Sequence, residues 1–185
     1  MLPYLFVLLA IAVRFLPFAG PLNVLPHAWH FTPVAASLLF FGARGPRRML
    51  WIPFALLAAS DVALTKLVYS YPFTWDHYVT FAWYAAVLWL GTRLGAKTKW
   101  LPVIGAALAS SVSFFLITNL TSWAWLDMYP KNLSGVMMSY AAGVPFFRHA
   151  LAGDLIFTTA MFATPMALHA LSAALRSHRD HAAAA

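Results

Sequence analysis

The sequence predicts an all-α integral membrane bundle of six transmembrane helices, on three observations. Of its 185 residues 62% are hydrophobic and 9% charged, with no glutamate at all, which leaves too little polar surface to cover a soluble globule. Six apolar segments recur along the chain, each read as crossing about 30 Å of hydrocarbon at about 1.5 Å per residue. Three clusters of basic residues follow the second, fourth and sixth of those segments, all on one side.

The first segment, 2–19, carries Arg14, has no basic n-region and ends in "RFLPFAGP", a poor cleavage site, so it is read as a retained helix and not a signal peptide. The second, 31–43, is short and is expected to extend back into "HAWHF". The third covers 49–68, the fourth 79–95, the fifth 100–126 and the sixth 150–175. They make one domain over 1–176, with a short disordered tail over 177–185. Arg44, Arg47 and Arg48 lie between segments 2 and 3, Arg93, Lys97 and Lys99 between 4 and 5, and Arg176 and Arg179 after 6. Basic loops favour the cytoplasm, so both termini are expected there. The net charge of +7, which in a soluble chain would suggest nucleic acid, is here a topology signal. The opposite connections, "PLNVLPHAWHFTP", "YSYPFTWDHY" and "LDMYPKNLSGVMMSYAAGVPFFRH", are rich in aromatic residues, His, Pro and Gly. They read as outer loops, two of the three long enough to fold over a cavity, with Gly135, Gly143, Pro130 and Pro145 punctuating a closing lid.

Polar groups inside apolar segments are costly unless a partner or ligand compensates them. Counting from segment ends puts Arg14, Asp61, Asn119 and Asp154 about 6–11 Å from the outer boundary, as one polar shelf shared by four helices. Arg14 and Asp61 are the natural ion pair, serving either architecture or ligand binding. Lys66, nearer the boundary, can snorkel outward. Phe115, Asn119 and Trp123 recur at intervals of four, so one helix face offers aromatic, amide, aromatic, a pattern that suits an organic ligand and that core packing also produces.

The chain contains no cysteine, which removes disulfides, thiol catalysis and cysteine-bound metals. Signatures of metalloproteases, serine hydrolases, intramembrane aspartyl proteases and nucleotide-binding loops are missing, so no enzyme, catalytic residue or cofactor is expected. His27, His30, His77 and His149 lie on the outer side, but metal ligation needs at least two that converge, and no metal site is assigned. His169, His178 and His181 read as surface residues.

The runs "RFLPF" (14–18), "HFTPVAA" (30–36), "SD" (60–61), "SFFLITN" with Trp123 (113–123), "YP…SG" (129–135) and "PFFRHALAGD" (145–154) resemble an uncharacterised bacterial family of transport proteins. That family is similar to the substrate-binding S components of energy-coupling-factor (ECF) vitamin transporters. Where it usually has asparagine, this chain has His30. The resemblance implies six helices, a location in the bacterial inner membrane and a small-molecule substrate taken from outside. It also implies either a transmembrane coupling protein with ATPases as partner or a solitary transporter. Helix 1 lacks the two small residues four apart by which S components dock, since Ala10 is followed by Arg14, and solitary cobalamin transporters of this type use a cysteine that this chain lacks. The residues expected to contact a ligand are Arg14, His30, Asp61, Phe115, Asn119, Trp123, Tyr129 and Asp154. The rival expectation is a membrane scaffold whose polar shelf only fixes helix packing.

Overall fold

The run "VAASLLFFG" is apolar on every side, and a helix with no polar face has to be surrounded. In the computed structural model, which describes residues 1–16, 32–70, 72–95 and 99–183, with side chains to Ser177, this run forms α2 (Val34–Arg44). Every residue from Val34 to Gly42 is buried. Around it stand α1 (Leu2–Phe15), α3 (Trp51–Ala63), α4 (Trp75–Arg93), α5 (Trp100–Trp125) and α6 (Leu133–Ala183), all five in contact with α2. Phe40 ties two of these neighbours to the centre, meeting Phe6 of α1 edge-on at 4.9 Å and Phe162 of α6 at 5.2 Å.

The helix α2 crosses α4 at a pair of glycines. A Cβ on Gly91 would stand 2.5 Å from the Leu39 carbonyl oxygen, and one on Gly42 would overlap the Leu88 carbonyl oxygen. Only hydrogen at both positions lets the backbones approach this closely. At the basic end of the bundle Arg47 donates from Nη2 to the Thr92 carbonyl at 2.8 Å, capping the last turn of α4, and the Arg93 guanidinium lies 4.5 Å over the Trp89 ring.

Six α-helices and no strand occur among the described residues. Three helical stretches are long and apolar enough to cross a membrane: Arg47–Val68, Trp100–Trp125 and Leu133–Ser177. The described lengths of α1 and α2 are apolar but shorter. The expected extension of α2 into "HAWHF" falls outside the described residues.

Two helices differ from expectation. The α4 helix starts at Trp75 instead of 79, because Thr74 and His77 form a reciprocal capping box that nucleates the helix inside the aromatic loop. The larger difference is α6, which begins at Leu133 and runs to Ala183, taking in most of the expected outer loop and the described part of the tail read as disordered. The connection from α5 is only 126–132. Asn132 accepts from the Gly135 N–H through Oδ1 at 3.0 Å and starts the new helix, while Lys131 donates from Nζ to the Trp123 and Leu126 carbonyls at 2.6 and 2.7 Å and closes the old one. Gly135, Gly143 and Pro145 lie inside α6, so they do not punctuate a lid, and Pro165 lies farther along the same helix. At about 1.5 Å per residue α6 is about 76 Å long, far more than a bilayer needs.

Candidate functional site

Arg14 lies in the last turn of α1 and Asp61 in the last turn of α3, which brings them level. They form the expected ion pair, Arg14 Nη2 to Asp61 Oδ1, with side chains 15% and 12% exposed. Arg14 Nη1 donates to Ser60 Oγ at 2.8 Å, and the Ser60 hydroxyl donates to the Leu57 carbonyl at 2.7 Å. The guanidinium is therefore clamped on both nitrogens. Tyr84 of α4, 3% exposed, is an electrostatic neighbour of both charges. Asp61 Oδ2 is buried and takes no hydrogen bond among the described residues. Lys66 is exposed, as its position near the boundary predicts.

Beyond Ala63 the backbone of α3 widens into a π-helical turn, Leu64–Val68, closed by the Tyr69 N–H on the Leu64 carbonyl at 2.9 Å and followed by Ser70 at φ 53°. Such turns displace side chains from the regular helical register and recur at functional sites. Thr65, on the inner side of this turn, lies 2.9 Å from His77 Nε2, while His77 Nδ1 takes the Thr74 N–H at 3.3 Å. His77 is thus the cap of α4 and a strut to α3. His149 is likewise engaged, its Nδ1 lying 2.8 Å from the Pro145 carbonyl.

The helices α5 and α6 run antiparallel. Across them Ser139 donates to the Asn119 carbonyl at 2.8 Å, Tyr140 donates to the Leu116 carbonyl at 2.9 Å, and the Ser111 hydroxyl donates to Asp154 Oδ2 at 2.6 Å. The Gly143 backbone presses on Asn119 so closely that a Cβ there would overlap the amide. Because α6 starts at Leu133, Asp154 pairs with Ser111, about 12 Å down α5 from Asn119. The expectation of one level shelf is corrected here. Asn119 stays near the end of α5, and Asp154, 8% exposed, lies two turns deeper.

A cleft of about 410 Å³ lies between the six helices. Arg14, Asp61, Phe115, Asn119 and Asp154 all face it, joined by Thr65, Trp83 and Tyr84, which carry no sequence motif. Their one legible signal was an aromatic pair on an apolar helix. The Asn119 Nδ2 donates to the Phe115 carbonyl at 2.8 Å, and the Phe115 ring meets the Phe147 ring at a tilt of 32° with centroids 4.6 Å apart. Trp123 and Tyr129 do not line the cleft. The Trp123 indole donates to the Pro130 carbonyl at 2.9 Å and braces the short connection that also holds Tyr129, because α5 ends within one turn of Trp123. His30 lies outside the described residues. The cleft is lined by the last turns of α1 and α3 and the start of α2, and none of residues 44–48 or 93–95 lines it.

Residues 1–175 match a family of unknown function, DUF6580, and the chain belongs to it. No curated protein and no solved structure matches the chain.

Proposed function

We propose that this member of a family of unknown function binds a small organic solute in the cleft and serves its uptake across the bacterial inner membrane, as an S-component-like subunit or a solitary transporter of the ECF type. The observation that carries the reading is a volume of about 410 Å³ lined by polar groups from five helices and by aromatic rings. Ligand sites for small molecules have this size and this mixture of apolar wall and few polar contacts. A core serving only to lock helices would close on its polar groups. In this reading all six helices are embedded, the short α1 and α2 being completed or covered by their neighbours. The three basic clusters hold both termini in the cytoplasm, and the cleft opens outward.

The second reading, a membrane scaffold or assembly subunit, is favoured by α6. Continuing the Ser111–Asp154 register brings the start of α5 level with Pro165, beyond which Met166, Leu171 and Leu175 are 63%, 57% and 57% exposed. Such an apolar row suits contact with another protein or with lipid.

Right-side-out vesicles containing the protein, incubated with a cell extract and analysed by mass spectrometry, separate the two. Transport predicts a metabolite that accumulates only in vesicles bearing the protein. Asn119→Ala lowers that accumulation per folded molecule by about 5- to 150-fold, the equivalent of one hydrogen bond to a buried ligand. If no metabolite accumulates, the scaffold reading stands. If Asn119→Ala reduces only the amount of folded protein, the residue is helix packing against Gly143.

A further inference from the structure

The charges lining the cleft do not balance. Arg14 is its one basic residue among those described, and two carboxylates, Asp61 and Asp154, face the same space. The guanidinium is already engaged, with one nitrogen on Asp61 and the other on Ser60. It offers an incoming anion no free fork. Asp154 comes from α6, is 8% exposed and takes one hydrogen bond, from the Ser111 hydroxyl. Among the described residues it has no ion-pair partner. A carboxyl in such surroundings stays charged only beside a positive partner, and an acid within a membrane-spanning helix marks where such a partner can arrive.

The rest of the wall restricts what the partner is. Phe115 and Phe147 meet at 4.6 Å with their rings tilted by 32°, and Trp83 lies 4.7 Å from Phe114. All four rings line the cleft with Asp154. Aromatic faces attract cations that have lost their water, most strongly alkylammonium groups. A bare metal ion finds no set of three or more carboxylate or imidazole ligands among the described residues, and about 410 Å³ is far larger than an ion needs. Resting on the proposed solute-binding role, we infer that the cleft takes an organic cation, an amine or quaternary ammonium carried on an apolar or aromatic body. Its charge sits against Asp154 and its body between the Phe115–Phe147 pair and Trp83. The Arg14–Asp61 pair is then the neutral rim of the site, leaving Asp154 as the group that selects for charge.

The test is isothermal titration of the full chain in lipid nanodiscs with benzyltrimethylammonium, tetraethylammonium and phenethylamine as cationic probes. N-benzylacetamide serves as the neutral analogue and benzenesulfonate as the anion. Saturable binding by at least one cation is expected, with the neutral and anionic probes weaker. Asp154→Asn should weaken the cation by about 10- to 150-fold, as expected for a lost hydrogen-bonded charge contact, and leave N-benzylacetamide within about 2-fold. Phe147→Leu, which keeps the carboxylate, should weaken the cation by about 3- to 30-fold, more than it weakens the neutral probe, and decides the matter should Asp154→Asn fail to fold. Equal or tighter binding of the neutral or anionic probe, or cation binding indifferent to both substitutions, overturns the charge assignment while leaving a solute-binding cleft. No saturable binding by any probe, together with no small molecule carried through purification, overturns the cleft as a binding site altogether.

Discussion

Arg14 donates to Ser60 and Asp61 at once, so removing either charge strands the other in a largely buried place. Breaking a buried pair costs about 3–5 kcal/mol, whereas replacing both members with neutral groups is tolerated far better. Arg14→Met and Asp61→Asn should each lower the unfolding midpoint in detergent, and the double variant should recover part of the loss, giving a coupling energy well above zero in the double-mutant cycle. Additive losses would show that Asp61 is held chiefly by Tyr84 or by a ligand. The pair was legible in the sequence because each residue's depth follows from its distance to a segment end; the end expected at 68 is where the helical backbone of the third segment stops, at Val68, while the end expected at 19 lies outside the described residues. Asp154 was seen as a buried acid but placed wrongly, because its depth was counted from a helix start that the fold puts at Leu133. The role of Trp123 was misread for a related reason. Spacing of four puts it on the Phe115 face, but a residue beside the helix end meets the connecting loop, here the Pro130 carbonyl, instead of the bundle interior.

Helix α2 shows what a sequence pattern conveys well. Nine consecutive residues without a polar face have one stable place, the centre. Its crossing with α4 depends on glycines that sequence alone gives no reason to pair, since Gly42 and Gly91 are far apart in the chain. Gly91→Ala should destabilise by about 1–3 kcal/mol, because its new methyl meets Leu39 backbone atoms that cannot yield. Gly105→Ala on α5 meets nothing within 4 Å and should stabilise by about 0.5–1 kcal/mol through helix propensity. Thermal unfolding of the two variants side by side checks this, and equal effects would refute the close crossing. The α6 helix shows where the pattern misleads. Gly135, Gly143 and Pro145 have the composition of a loop, yet Gly135 admits the Pro130 carbonyl, Gly143 admits Asn119, and a proline is accommodated where neighbouring helices and side chains satisfy the freed backbone. The π turn at Leu64–Val68 left no trace in composition, since a widened turn uses the same apolar residues as a regular one.

In the proposed orientation the basic clusters mark one end of the bundle and the aromatic, acid-lined cleft the other. With eight basic residues in the connections at 44–48 and 93–99 and at the end of α6, a reporter fused after Ala185 should be active only as a cytoplasmic reporter. Activity of an exported reporter there would turn the cleft toward the cytoplasm and reverse the direction of the proposed uptake. The central claim is that the cleft holds a small molecule, and Ala150 tests it because its short side chain lines the space without joining the polar contacts described above. The most direct measurement is native mass spectrometry of the protein extracted from its own membrane, with Ala150→Phe as the filled control. The account predicts a wild-type species carrying one small-molecule adduct of defined mass, and an Ala150→Phe protein that is folded and empty. Wild-type protein without any adduct, or the same adduct retained by Ala150→Phe, would contradict it.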